Sequence, residues 1–223
     1  MGDRALKDAL YEQLARVGRA VSSPKRLELL DLLAQGERGV EALAGQTGMG
    51  ITNTSAHLQA LRAASLVTSR KQGTRVLYRL ADDQVAGFLG QLRTLAHAHI
   101  AEVDRAVRAY LATDDDPEPI SRAELLRRME RDEVIVLDVR PAAEYAAGHI
   151  PGAVPVPPDR LEPLLAELPL DRAVVAYCRG PYCVYAPQAV RALRARGIPA
   201  HRLEDGFPEW RLAGLPVAVA DRV

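Results

Sequence analysis

Residues 39–67, GVEALAGQTGMGITNTSAHLQALRAASLV, contain the most informative structural pattern in the first half of the chain. Its pattern predicts a short helix over about Val40–Gln46, a turn that contains glycine, and a second helix over about Thr52–Ala64. Two short helices separated by such a turn have the spacing of a helix-turn-helix. The segments GDRALKDALYEQLARVGRA and SSPKRLELLDLLAQGE, which come before it, predict two further amphipathic helices.

The residues that follow predict a basic hairpin and a long final helix. LVTSRKQGTRVLYRL, residues 66–80, contains two short apolar runs around a turn that carries Arg70, Lys71 and Arg75. A positively charged hairpin tip suits contact with DNA phosphates. Residues 82–112 repeat apolar positions at steps of three and four, which predicts one long helix. So long a stripe favours packing on a partner chain as well as on its own domain.

Residues from about 5 to 110 resemble an ArsR-type winged-helix repressor. MGITNTSAHLQALRAASLVTSRKQGTRVLYRL is similar to the recognition helix and wing of that family, and the residues at matching places are Ser55, His57, Leu58 and Leu61. The resemblance implies a homodimer, joined through the last helix, whose recognition helices enter successive major grooves of a palindromic double-stranded DNA operator. The polar side chains able to reach bases or phosphates are Thr52, Asn53, Thr54, Ser55, His57 and Gln59 on the helix, with Arg70, Lys71 and Arg75 on the wing.

Metal sensing is the alternative function to weigh, because many members of the resembled family sense metals. They use cysteines near the helix-turn-helix, or sets of Asp, His and Glu on the last helix. The first 112 residues contain no cysteine, and His97 and His99 are two positions apart, so they lie on different helix faces. Although Glu102 lies nearby, we predict no metal site and no cofactor, and we interpret the two histidines as polar groups of the dimer interface.

The second half of the chain predicts a small α/β domain. Ser121 and Glu124 form a capping box at the start of a helix. The apolar runs VIVLDVR and AVVAYC are typical of buried parallel strands, ARGIPAHRLEDG contains a third strand, and the helix APQAVRALRARG lies between the last two. The predicted fold class is therefore two domains: a mainly α winged helix-turn-helix followed by an α/β domain with a parallel sheet.

Charge and composition place the boundary between the two domains. Residues 1–112 carry 15 basic and 11 acidic residues, a net charge of +4, whereas residues 113–223 carry 14 and 18, a net charge of −4. The change falls at TDDDPEP, so we predict domains over 1–112 and 121–223 with a linker over 113–120. We find no apolar run long enough for a membrane span and no secretory signal. A cytoplasmic protein with no membrane partner is therefore expected, with its two cysteines reduced unless they carry chemistry.

The segment LDVRPAAEYAAGHIPGAVPVP, residues 137–157, resembles the signature of the rhodanese domain, and so does LEDGFPEW, residues 203–210. The match covers about residues 121–218. We expect Asp138, Arg140 and Glu144 within it to form structural polar contacts. The resemblance implies that the cysteine after a central strand, on a loop before a helix, accepts sulfur.

Cys178 lies at that position in YCRGPYCVYA, residues 177–186. Backbone N–H groups of a tight loop and a helix N-terminus favour an anion, so they would stabilise a thiolate or a persulfide. Arg179 adds positive charge for an anionic sulfur donor, and Gly180 permits the turn. The predicted catalytic residues are Cys178, Arg179 and Cys183, and the substrate loop comprises Gly180, Pro181 and Tyr182.

Loop length separates sulfur transfer from phosphate hydrolysis. A dual-specificity phosphatase of this fold has an arginine six residues after the cysteine, where this chain has Val184. Sulfur-transferring rhodaneses commonly end the loop with arginine or threonine five residues after the cysteine, where this chain has Cys183. Two interpretations of Cys183 stay open: a buried residue that replaces threonine, or a resolving thiol that attacks a persulfide on Cys178.

These observations predict a sulfur-responsive repressor that binds palindromic DNA as a homodimer and takes a sulfane sulfur from thiosulfate, polysulfide or a persulfide onto Cys178. The alternative is a rhodanese-type sulfurtransferase, an enzyme whose DNA-binding domain is secondary. A metal-sensing repressor with a degenerate rhodanese domain is disfavoured because the ligands are absent.

Overall fold

The computed structural model describes residues 3–111, 118–161, 163 and 172–219. The chain forms two compact units, Met1–Gln91 and Leu92–Val223. Residues 112–117, which include most of the predicted linker, lie outside the described residues, so the predicted boundaries stay predictions. Ile120, the last residue of that linker, is buried and pairs with Leu203 of the second unit.

The first unit is a winged helix-turn-helix. Gly48, with a left-handed φ of 66°, ends its third helix, and Gly50 immediately precedes its fourth, so the glycines form the predicted turn. Leu43, Leu58 and Leu61 are completely buried in a core that also includes apolar residues of the hairpin. Its elements are α1 (Arg4–Val21), α2 (Pro24–Ala34), β1 (Arg38–Gly39), α3 (Val40–Thr47), α4 (Ile51–Ala63), β2 (Val67–Gln72), β3 (Arg75–Leu80) and the start of α5 (Asp83–His99), with an antiparallel sheet in the order β1-β3-β2.

The second unit contains a four-stranded parallel sheet, in the order β5-β4-β6-β7. Its central strands, β4 and β6, are almost entirely buried, as their continuous apolar sequences predict. After the end of α5, the elements are α6 (Ala101–Leu111), α7 (Arg122–Glu130), β4 (Val134–Asp138), α8 (Ala142–Ala147), β5 (Val154–Pro155), a 3₁₀ turn (Pro158–Arg160), β6 (Ala173–Tyr177), α9 (Tyr185–Ala195), β7 (Ala200–Arg202) and α10 (Phe207–Leu212).

The predicted single last helix is broken at Ile100, which separates α5 from α6. The Ile100 N–H donates to the Ala96 carbonyl at 2.8 Å, whereas the Ile100 carbonyl accepts from Val103, three residues later, at 2.9 Å. His97 Nδ1 lies 2.6 Å from Asp104 Oδ1 across the break. The apolar spacing continues through Ile100, which is why the sequence pattern does not reveal the break.

A buried polar network fixes the ends of β4 and β6. Asp138 and Arg140 form an ion pair with completely buried side chains, and Arg140 also donates to the Gly148 carbonyl at 2.6 Å. The Tyr177 hydroxyl donates to Asp138 and accepts from the Ile150 N–H at 3.1 Å. Burial, assisted by the charge of Asp138, raises the pKa of Tyr177, so the hydroxyl keeps its proton and remains a donor. The network holds the strand end from which the loop after β6 begins.

Within the described ranges, no helix is both long and apolar enough to cross a membrane.

Candidate functional site

The loop between β6 and α9 joins the two cysteines in a disulfide. Cys178 follows β6 directly, and Cys183 lies two residues before α9. Their Cα atoms are 6.1 Å apart, within the range that a disulfide requires. Cys178 is only 2% exposed, whereas Cys183 is half-buried. The structure therefore brings the thiol of Cys183 within bonding reach of Cys178, with Arg179, Gly180, Pro181 and Tyr182 enclosed in the ring.

Arg179, a residue of this loop, contacts the carboxylate of Glu144, and its predicted role as positive charge for a sulfur donor stays a prediction. Its guanidinium donates to both oxygens of Glu144, on α8, at 2.6 to 3.1 Å. Glu144 is 2% exposed, and a buried carboxylate needs a cationic or hydrogen-bonding partner. Because Glu144 compensates the charge of Arg179, we interpret this pair as an anchor that ties the loop to α8.

Gly206, just before α10, packs directly against the backbone of the loop. A Cβ atom at this position would lie 2.5 Å from the Gly180 Cα and would also overlap the backbone of Arg179. The adjacent Phe207 N–H donates to the Cys178 carbonyl at 3.0 Å, so the same segment orients the residue that carries the sulfur. The loop can take this course only because residue 206 has no side chain.

We expect Gly206→Ala to displace the loop, since its methyl group meets main-chain atoms that cannot move independently. The substitution should lower the free energy of unfolding by about 1–3 kcal/mol, as overpacking does, and slow sulfur uptake by Cys178. Urea unfolding and intact-protein mass spectrometry measure the two effects.

Gly45→Ala is the matched control, because Gly45 is exposed on α3 and its added methyl meets nothing within 4 Å. That variant should keep or raise stability, by about 0.5–1 kcal/mol. An unfolding midpoint of Gly206→Ala equal to that of the parent protein would contradict the prediction, because it would show that the loop accommodates the methyl group with no loss of stability.

The end of α5 contacts the same loop within the second unit. His97 Nε2 lies 2.8 Å from the Tyr182 hydroxyl. Arg93 forms an ion pair with Glu209, on α10, at 2.9 Å, with both side chains about 20% exposed, and its guanidinium lies 5.7 Å from the centre of the Tyr182 ring. His97 thus contacts the loop of its own chain, and its place in a dimer interface stays a prediction.

His99, two positions along α5 from His97, is exposed. Across the described part of the chain, no three His, Cys, Asp or Glu side chains are close enough to hold a metal ion.

Helix α4 presents most of the residues predicted to contact DNA. Thr52, Asn53 and Gln59 are exposed, and Ser55 and His57 are half-buried. Gln59 also donates to the Tyr78 hydroxyl of β3, at 3.2 Å, within the same unit. The prediction fails for one residue: Thr54 is completely buried, and its hydroxyl donates to the Gly50 carbonyl at 3.1 Å. A side chain enclosed in this way stabilises the helix start and does not reach a base.

The hairpin β2–β3 carries the three predicted wing residues. Lys71 and Arg75 are exposed beside the turn at Gly73. Arg70 is also exposed, but its guanidinium contacts Glu37, with Nε 2.8 and 3.0 Å from the two carboxylate oxygens. Glu37 therefore compensates the charge of Arg70 in the structure, and contact of the three wing residues with DNA stays a prediction.

Helix α1 exposes an apolar surface that we did not assign from the sequence. Leu6, Leu10 and Leu14 are 58–71% exposed, and Tyr11 beside them is 59% exposed. Their spacing of four residues places the leucines on one face of the helix. An apolar stripe of this kind on a surface indicates a protein partner. The spacing of the leucines is visible in the sequence, but it fits equally a helix that buries this face in the core of its own domain and a helix that exposes it.

Two family models match this chain. Residues 23–69 match the model described as bacterial regulatory protein, arsR family, and residues 121–213 match the rhodanese-like domain. The chain is 53% identical over 216 residues to the HTH-type transcriptional regulator Rv0324 of Mycobacterium tuberculosis. The matched region covers 97% of this chain and 95% of that protein. It is also 31% identical over 112 residues to a sulfurtransferase of Allochromatium vinosum, and this matched region covers 50% of this chain and 99% of that protein.

Among solved structures, this chain is similar to fragment 1–100 of Mb0332 from Mycobacterium bovis, a winged helix-turn-helix DNA-binding domain described as homodimeric. The two sequences are 49% identical, and the TM-score between the structures is 0.42. The match covers 45% of this chain and 91% of that fragment. Because the relationship to Rv0324 extends over nearly the full length of both proteins, the chain belongs to the ArsR family of HTH-type transcriptional regulators, in a form that carries a C-terminal rhodanese-like domain.

Proposed function

We propose that this regulator is a sulfur-responsive repressor that binds palindromic duplex DNA as a homodimer and accepts a sulfane sulfur on Cys178. One observation carries the sulfur-dependent part of the proposal: Cys178 and Cys183 close a ring on the loop between β6 and α9. A chain that belongs to a transcription-regulator family thus carries a pair of thiols able to exist in more than one covalent state.

The DNA-binding part is supported by the exposed polar face of α4 and by the basic hairpin tip. Thr52 and Asn53 lie at the N-terminal end of α4, the end from which a recognition helix contacts base edges. A palindromic operator requires a two-fold symmetric protein. The exposed leucine stripe of α1 provides a surface that a second copy of the chain can cover.

The proposed chemistry has two balanced steps. The Cys178 thiolate attacks the outer sulfur of thiosulfate, the S–S bond of thiosulfate breaks, and sulfite leaves with the electron pair, so that Cys178 carries a persulfide. The Cys183 thiolate then attacks the Cys178 Sγ, and hydrosulfide leaves as the persulfide bond breaks. The product of this second step is a disulfide between Cys178 and Cys183, the pair that the structure places within bonding reach. Helix α9 begins at Tyr185, and the partial positive charge at its start favours the thiolate and persulfide anions.

A sulfurtransferase is the second candidate, and the similarity to the Allochromatium vinosum sulfurtransferase favours it. Such an enzyme must hold its persulfide until an external acceptor, such as cyanide or a thiol, removes the sulfur. Cys183 competes with every external acceptor, because it lies within bonding reach of Cys178. That competition is the specific observation in favour of a regulatory loop over an efficient transfer enzyme.

The test compares sulfur state and DNA binding on one sample. Duplexes are first selected from a random pool with the reduced full-length protein, and affinity is then measured before and after exposure to polysulfide, with intact mass recorded on each sample. We expect the affinity to change by roughly 5–150-fold, the usual range of an allosteric coupling. Cys183→Ser should gain the persulfide mass but lose the bridge and much of the response. Equal affinity of the two sulfur states would favour the sulfurtransferase.

A further inference from the structure

We infer that Arg93 and His97 of α5 are positioning residues that hold Tyr182 in the bridged state of the loop, and so make the end of α5 respond to the bridge between Cys178 and Cys183. The inference rests on the proposed function in one respect, since it requires the bridge to form and open in solution.

Tyr182 is the residue through which the bridge and α5 meet. It lies inside the disulfide ring and is bonded directly to Cys183, so its backbone position is set by the bridge. Its hydroxyl lies 2.8 Å from His97 Nε2, and its ring lies beneath the guanidinium of Arg93. The hydroxyl and the ring of Tyr182 are therefore contacted by His97 and Arg93, which lie one helical turn apart on α5.

Both α5 residues are themselves held in place by neighbouring groups. His97 Nδ1 lies 2.6 Å from Asp104 Oδ1, so the imidazole is fixed between α6 and the loop. Arg93 is fixed by Glu209, and the Glu209 carboxylate also accepts from the Gly206 N–H at 3.1 Å, next to the point where Gly206 packs on the loop. The loop is thus contacted from α5 by two routes, one through Tyr182 and one through Glu209 and Gly206.

Opening the bridge removes the covalent constraint on Tyr182 and breaks no bond within α5 itself. A contact made by the bridged state and weakened in the open state must stabilise the bridge, and the bridge must stabilise the contact by the same factor. We therefore expect a substitution of His97, which touches neither sulfur, to change the equilibrium between the bridged and the reduced cysteines.

The experiment is a glutathione titration of the full-length protein. Oxidised glutathione converts the two thiols to the disulfide and is itself reduced to two glutathione thiols, and the bridged fraction is read by mass spectrometry after acid quenching. We expect His97→Phe, which removes the hydrogen bonds but keeps a ring, to shift the equilibrium roughly 2–10-fold toward the open form. His99→Phe is the matched control, because His99 is exposed two positions away, and it should not shift the equilibrium.

A double-mutant cycle identifies the contact. Tyr182→Phe removes the hydroxyl but keeps the ring beneath Arg93, and it should shift the equilibrium in the same direction as His97→Phe. The variant with both substitutions should shift no further than His97→Phe alone, because that substitution already removes the contact to the Tyr182 hydroxyl. Amides of residues 93–99 should also exchange hydrogen more slowly in the bridged protein than in the reduced protein.

The outcomes are distinguishable from failure of the proposed function. A wild-type equilibrium constant in His97→Phe, or fully additive shifts in the double variant, would overturn the inference while persulfide formation on Cys178 stands. A wild-type protein that forms no bridge at any glutathione ratio would overturn both the inference and the proposed role of Cys183.

Discussion

Cys178→Ser should abolish sulfur uptake completely. A serine hydroxyl neither forms a persulfide nor offers a thiolate at neutral pH, and Cys178 is the cysteine that β6 and the Phe207 N–H hold at the start of the loop. After exposure to thiosulfate or polysulfide, intact-protein mass spectrometry should show the Cys178–Cys183 disulfide in the parent protein, and one added sulfur atom, removable by cyanide, in Cys183→Ser. Cys178→Ser should gain none.

Cys183→Ser is the control, because it keeps the proposed nucleophile and removes only the resolving thiol. This variant should accumulate the persulfide that the parent protein converts to a disulfide, and it should release no hydrosulfide. Sulfur uptake by Cys178→Ser at the level of Cys183→Ser would assign the nucleophile to Cys183 instead.

Replacing Arg70, Lys71 and Arg75 together by alanine should weaken binding to all duplexes by roughly 10–100-fold near physiological salt, because a hairpin without these charges neutralises fewer phosphates and releases fewer counterions. The slope of log affinity against log salt should become shallower by about 0.9 for each phosphate that the variant no longer neutralises. Fluorescence anisotropy over a salt series measures both quantities. The contribution of Arg70 should be the smallest of the three, since it already contacts Glu37.

A charge-matched variant controls for net charge. Arg127, Arg131 and Arg194 are exposed in the second unit, and replacing them by alanine removes the same three positive charges far along the sequence from the hairpin. If that variant loses as much affinity as the hairpin variant, the effect belongs to the total charge of the protein and not to the wing.

The features that the sequence predicts well are those set by residues close together in the chain. The glycine turn before α4, the hairpin and the buried strands β4 and β6 each follow from local spacing, and each is present. Thr54 shows the limit of this reasoning. Residue type makes it a candidate for DNA contact, but helical geometry places it on the same face as the buried Leu58 and Leu61.

The parts of the candidate site that the sequence did not predict depend on residues far apart in the chain. Glu144 is 35 positions from Arg179, and His97 is 85 positions from Tyr182. Gly206 supports a loop that begins almost thirty residues earlier, and its close approach to Gly180 follows only from the packed fold. A single sequence contains no signal that pairs such residues, because neither spacing nor composition records which surfaces meet.

The near-complete burial of Cys178 has a kinetic consequence. Its sulfur lies among the core side chains that pack against β6, while Cys183 remains partly open to water. We therefore expect a bulky thiol reagent to react with Cys183 first, and a small anion with a terminal sulfur to reach Cys178 more readily than a large one. The rate of reaction at Cys178 should fall as the sulfur compound becomes larger, even among compounds of equal intrinsic reactivity.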